Sequence, residues 1–210
     1  MFYEIDKRDR TLLPHDPVKA IIAPRPIGWI STVGTDGSVN LAPYSFFNQI
    51  SSQPPMLMFS SDGPKHSATN AEATGEFVYN LATYELRQAM SATSAPLPKG
   101  VSEFDAAGLT PAACRLVKPP RVLESPASLE CKVVAVLRPP DLTGKPIDNI
   151  VVIGQIVGVH IDEAYVVDGM FDIVKAGTIT RAGYADYVRV ESVFAMLRPK
   201  GGGGRDGAGR

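Results

Sequence analysis

Residues 24–70 concentrate the side chains that can do chemistry. Four short runs carry them: Arg25-Pro-Ile-Gly-Trp-Ile-Ser-Thr32, Asn40-Leu-Ala-Pro-Tyr-Ser-Phe-Phe-Asn48, Pro54-Pro-Met-Leu-Met-Phe-Ser60 and Lys65-His-Ser-Ala-Thr-Asn70. Their hydroxyls, amides and one lysine recur at strand ends and in turns, where a rigid scaffold presents ligand contacts. The set suits a flat, phosphorylated, aromatic ligand. A phosphate takes a cation, hydroxyl donors and free backbone N–H groups. Lys65 just ahead of a helix, with Ser67 at the helix start, offers all three. Ser31, Thr32 and Ser45 are further donors. A planar ring takes aromatic walls and backbone groups at its polar edge. Trp29, Tyr44 and Phe46 are candidate walls, and the loop Pro43 to Asn48 supplies candidate edge contacts. Each residue also has a plain structural reading. Ser67 is a natural helix N-cap, and Lys65 an ordinary surface cation. Trp29 sits beside Ile27 and Val33 like a core residue, and Asn40 and Asp36 suit a hairpin.

Other chemistry is sparse. His160 shares a strand face with Gly154, Ile156 and Gly158, and glycines leave room for a ligand or another backbone. It is a weak catalytic candidate beside the alternative of a histidine satisfied by a carbonyl. Arg181 and Tyr184 follow an exposed Gly-Thr-Ile-Thr stretch, and Arg181 could meet a phosphate, a carboxylate or a partner subunit. Cys114 and Cys131 have no cysteine at metal or redox spacing and read as small buried hydrophobes. His15, His66 and His160 fall in no zinc spacing, no metal is expected, and a Gly-x-Ser-x-Gly elbow is absent. Gly202, Gly204 and Gly207 have dinucleotide-fingerprint spacing, but no strand and helix flank them, so the match is rejected.

The elements that must position these residues are mostly strands. Ile27 to Val33 and Ser38 to Ala42 flank Gly34-Thr-Asp-Gly37, a hairpin signal. Further strands are Met56 to Ser60, Phe77 to Leu81, Val151 to Ile161, Val188 to Met196 and Leu129 to Leu137. In the last of these Leu129, Cys131, Val133, Ala135 and Leu137 share one face and Glu130 and Lys132 begin the other. Helices are expected at Ser67 to Thr74, capped by Ser67 and closed by Gly75, and at Thr83 to Ala92. Strands that do not alternate regularly with helices argue against a doubly wound sheet and for a mainly β, antiparallel barrel or sandwich with a few inserted helices.

Composition sets the outer bounds. The chain has 210 residues, 44% hydrophobic and 20% charged, with a formal net charge of -1. That balance gives no electrostatic reason to expect nucleic acid or an anionic membrane as partner. Two cysteines exclude a disulfide-dense scaffold. The N-terminus lacks a signal-peptide pattern and no apolar run is long enough to span a bilayer, so a cytoplasmic location is expected. The reading is one domain over residues 1–199, with 200–210 a flexible Gly-rich tail.

The same motifs resemble the flavin reductase-like family, the FMN-binding split-barrel group that includes flavoredoxin-type proteins. Besides the four runs, Glu76-Phe-Val-Tyr-Asn-Leu81, Leu129-Glu-Cys131, Gly158-Val-His-Ile161 and Arg181-Ala-Gly-Tyr-Ala-Asp-Tyr187 fit the pattern. The resemblance extends over roughly Asp16 to Leu197. It implies a Greek-key split β-barrel, a homodimer, and FMN near the dimer interface. Carried over by motif, Trp29, Ile30, Ser31 and Thr32 lie along the flavin. Tyr44, Ser45, Phe46 and Asn48 surround its ring and side chain, and Ser60, Lys65 and Ser67 sit near its phosphate. Many relatives carry Asp-Thr where this chain has His66-Ser67; serine keeps the hydroxyl. The implied activity is NAD(P)H:flavin reduction, hydride passing from the nicotinamide to flavin N5, with a monooxygenase or another electron acceptor downstream. The alternatives are a flavin-binding electron-transfer or carrier protein, and a split barrel that binds haem or no cofactor.

Overall fold

The computed structural model describes residues 1–97 and 101–196, so the expected tail lies outside the described residues. Seven antiparallel strands form the main sheet: β1 (Gly28–Val33), β2 (Val39–Tyr44), β3 (Phe47–Ser52), β4 (Pro55–Asp62), β5 (Glu76–Leu81), β6 (Ala127–Leu137) and β7 (Asn149–Ile161). Their order across the sheet is β2-β1-β5-β6-β7-β4-β3. Two hairpins, β1–β2 and β3–β4, thus close onto opposite edges of a curled sheet, with β5, β6 and β7 between them. This is a split β-barrel of antiparallel Greek-key type with few helices, as the sequence suggested. The β1–β2 turn is the expected one: Gly37 has φ +85°, and the Asp36 carboxylate accepts from the N–H and hydroxyl of Ser38.

Two buried clusters hold the fold. Inside the curl, Ile30, Phe47, Leu57, Phe59, Phe77, Cys131 and Val152 pack together, with Ala68 and Ala71 from the helix α2 (His66–Thr74), which follows the short helix α1 (Val18–Ile21) in the chain. On the far side of β1, Trp29 and Leu41 pack with Met90, Phe104, Leu109 and Val122. Strand β1 is therefore buried on both faces, which is why Trp29, Ile30, Ser31 and Thr32 are all enclosed. A small sheet pairs Arg25–Pro26 with Ile179–Arg181, and the latter with Tyr187–Arg189.

Several expectations shift. Helix α2 starts at His66 with Lys65 as N-cap; Ser67 lies inside the helix, and Gly75 closes it at φ +74°. The helical part of Thr83 to Ala92 begins only at Arg87, after a turn in which Thr83 Oγ1 accepts from the Leu86 N–H. The segment Val188 to Met196 is a strand only to Arg189. The expected loop Pro43 to Asn48 is the end of β2, a two-residue link of Ser45 and Phe46, and the start of β3. Strand β6 bulges at Val134, so its phase slips: Val136 packs inward and Leu137 is exposed.

Candidate functional site

The Ser45–Phe46 link brings two strands to one opening. Ser45, Phe46 and Asn48 come from the link and β3, and Met58 and Ser60 from β4. The segment Ile21 to Pro26 forms the opposite wall of a cleft of about 580 Å³. Pairing fixes the geometry: the Ser60 N–H donates to the Phe46 carbonyl at 2.8 Å, and Asn48 lies opposite Met58. Ser60 Oγ also accepts from Asn149 Nδ2 at 3.3 Å. Behind the cleft, the Phe47 ring stacks on Tyr79 at 4.8 Å between centroids. It does so because residue 28 is glycine: a Cβ there would lie 2.4 Å from the Phe47 ring. Phe46 is 43% exposed at the rim, and Lys19 Nζ lies 5.8 Å from its ring centre.

Arg25 is the charged residue of this wall, and it is only 9% exposed. Its guanidinium donates to the carbonyls of Lys19, Ile22 and Ala182, tying the N-terminal segment to the Ala182–Tyr187 turn. Its Nε has no partner, and no carboxylate pairs with it among the described residues. Sequence reasoning quoted Arg25 within a motif and gave it no role; what was missing was its burial.

The other expected site residues lie elsewhere. The Trp29 indole donates to Thr93 Oγ1 at 3.0 Å, Ser31 donates to the Pro120 carbonyl, and Thr32 Oγ1 accepts from Asn70 at 3.2 Å. Ile30 is part of the inner core. Ser67 is buried, accepts from Asn40 Nδ2 at 2.8 Å, and is hydrogen-bonded to Tyr44. Burial pushes the Tyr44 phenol up, against the lowering effect of Ser67 and Ser61. Lys65 is exposed at the start of α2, whose N-terminus no side chain caps. The structure thus gathers Ser45, Phe46, Asn48 and Ser60 in the cleft, and buries Trp29, Ile30, Ser31, Thr32, Tyr44 and Ser67 in the interior.

A family model, the flavin reductase like domain, matches residues 22–172. The chain belongs to the flavin reductase-like family. Among its relatives, an uncharacterized protein of Halalkalibacterium halodurans is 33% identical over 183 residues, 85% of this chain and 87% of that one. One from Aquifex aeolicus is 42% identical over 121 residues, which span 55% of this chain and 62% of that protein's length. Among solved structures, nitrilotriacetate monooxygenase component B from Bacillus cereus superposes with a TM-score of 0.84 at 25% identity. That match covers 93% of this chain and 98% of the other.

His160 of this flavin reductase-like chain lies in a different depression, lined also by Arg115, Arg121 and Glu130, which shares no residue with the cleft. Its Nε2 is 2.6 Å from Glu130 Oε1, so its partner is a carboxylate and not the carbonyl that the plain reading offered. One ligand atom from each of Cys114, Glu130 and His160 falls within 4.8 Å of the others, a grouping that sequence spacing did not suggest. Burial and the Glu130 charge raise the Cys114 thiol to about 11, so it is a protonated, unreactive group at neutral pH. No helix of the described residues is long and apolar enough to cross a membrane.

Proposed function

We propose that this chain is an FMN-dependent NAD(P)H:flavin oxidoreductase. The cleft carries the reading. Residues distant in sequence, Arg25, Ser45, Phe46, Asn48 and Ser60, converge on one opening, in a chain of flavin reductase-like family. Its volume lies within the ~300–1,000 Å³ of small-molecule sites. Phe46 and Met58 are apolar walls for a ring, and Ser45, Asn48 and Ser60 are polar edges. The buried, unpartnered Nε of Arg25 leaves positive charge at the wall, which suits an electron-rich or anionic ligand. These groups fit a flavin nucleotide.

A bound flavin supplies the hydride-accepting N5 and the route by which electrons leave. The chain's own residues bind and orient. Among the described residues the cleft lining holds no carboxylate and no imidazole, and hydride transfer needs neither. Strand β4 runs from Met58 and Ser60 in the cleft to Asp62, and the next turn leads to Lys65 and the uncapped N-terminus of α2. We assign the flavin phosphate to that end, where a cation and free helix N–H groups meet. Trp29, Ile30, Ser31, Thr32, Tyr44 and Ser67 act from behind, fixing the strands that present the cleft. The reading includes a homodimer, supported by the exposed apolar rim of Ile21, Ile22 and Phe46 that a second copy would cover. It also includes a monooxygenase or other protein as electron acceptor, supported by the likeness to a monooxygenase component.

Titration of the purified protein into FMN, followed by flavin fluorescence, tests the cleft. Ser60→Ala and Asn48→Ala are each expected to weaken binding about tenfold, ~1.4 kcal/mol. FMN affinity unchanged in both variants would move the site elsewhere.

A further inference from the structure

Next to the cleft lies a second compartment of about 330 Å³. Ser45 and Arg25 line both spaces. The second one is basic: Lys19, Arg25 and Arg181 line it, with Tyr184 and Tyr187, and among the described residues no carboxylate does. The two arginines are held in place by neutral groups. Arg25 is clamped on three backbone carbonyls. Arg181 donates to the Tyr184 carbonyl and lies over the Tyr187 ring at 4.5 Å. Lys19 sits over Phe46. The turn that carries Tyr184 is packed rigidly, since a Cβ on Gly183 would lie 2.3 Å from the Cβ of Ala20. The Arg25 guanidinium has only carbonyl partners, and its Nε is buried and unpartnered. Two held arginines and an exposed lysine, with no carboxylate among the described lining residues, make a receptor for an oxyanion, and arginine forks match phosphate and carboxylate oxygens in particular.

We infer that this compartment binds the oxyanion of the second substrate, a diphosphate or a carboxylate, while the flavin occupies the cleft beside it. The inference rests on the proposed flavin reading for the identity of the neighbouring ligand. It makes Arg181 and Lys19 positioning residues: they hold the second substrate's charged end so that its reactive ring lies against the flavin. The flavin phosphate is placed at the other end, near Lys65, so the two anions do not compete.

Calorimetric titration of the FMN-loaded protein tests this with three probes: ADP, adenosine and benzoate. ADP is expected to bind and adenosine not. Arg181→Gln and Lys19→Gln are each expected to weaken ADP about tenfold, and Arg181→Lys to recover part of the loss. Benzoate binding in place of ADP, with the same dependence on Arg181, would support the site and name carboxylate as its ligand. Binding of neither anion up to about 10 mM, or binding indifferent to both substitutions, would overturn the inference. So would a loss of FMN affinity in Arg181→Gln that riboflavin does not share, because the compartment would then hold the flavin's own phosphate. Titrations with FMN alone separate the two readings. Wild-type protein that ignores FMN yet binds ADP through Arg181 would remove the flavin reading and leave the oxyanion site standing.

Discussion

Glu130 Oε1 lies 2.6 Å from His160 Nε2, and the same carboxylate accepts the backbone N–H groups of Arg115, Leu116 and Val117. Glu130 is 1% exposed. Its burial raises the carboxyl pKa, but the Arg115 amide, the His160 ring and the Leu116 amide outweigh that, and the group titrates below its ordinary range. The arrangement fastens the 115–117 segment to the outer face of the barrel.

A depressed carboxylate contributes stability above its unfolded pKa, about 4.3 for glutamate. That contribution is lost as pH falls through the lower folded value. Glu130→Gln is therefore expected to cost about 3 kcal/mol at neutral pH, since an amide cannot replace a carboxylate that takes several donors. It should also flatten the decline in stability below about pH 5. Chemical denaturation at a series of pH values checks both; a variant with wild-type stability at neutral pH contradicts the account.

Asn80 is a second buried tie. Its Nδ2 donates to the Trp29 carbonyl at 3.2 Å, and its Oδ1 accepts from the Val122 N–H and the Ser128 hydroxyl. Asn80→Ala strands two buried donors and one acceptor. A loss of roughly 3 kcal/mol is expected, read as a fall in Tm of about 10 °C.

Gly28 couples packing to the cleft. In Gly28→Ala the new methyl meets the Phe47 ring, which must leave its stack on Tyr79. Overpacking of this kind costs ~1–3 kcal/mol. Because Phe47 also lines the cleft, FMN affinity is expected to fall with stability. Thermal melts and flavin titration on one preparation test the link, and a stable variant with normal affinity breaks it.

Lys65 separates phosphate from ring recognition. Lys65→Ala is expected to weaken FMN about tenfold and leave riboflavin, which lacks the phosphate, within a factor of about two. Equal losses for both would remove the phosphate from this end of the cleft.

Much of the barrel was legible in the sequence because period-two alternation and the Asp36-Gly37 turn are local signals. Strand β3 was not, since Asn48, Gln49, Ser51 and Ser52 give an edge strand no apolar face. Glu130 reads as a solvent-facing charge on β6; only the chain folded over it, offering three amides, makes burial favourable. Ser67 reads as the N-cap, but Lys65 is the cap and Ser67 stands two positions further in, where its hydroxyl serves Asn40 and Tyr44. Of the expected ligand contacts, Ser45, Phe46, Asn48 and Ser60 face one cleft because β3 and β4 pair. Trp29 through Thr32 do not, because a second layer of helices and loops covers Trp29 and Ser31 on the outer face of β1, while Ile30 and Thr32 are buried against the inner core and the helix that carries Asn70. That layer is a tertiary fact with no signature in the motif itself.

The central claim is hydride transfer to bound FMN. Its most direct test is the visible spectrum of the FMN-loaded protein mixed anaerobically with NADH and then NADPH. The account predicts rapid bleaching of the flavin band with at least one of the two. A bound flavin that stays oxidised with both would contradict it and leave a flavin carrier reduced by another donor.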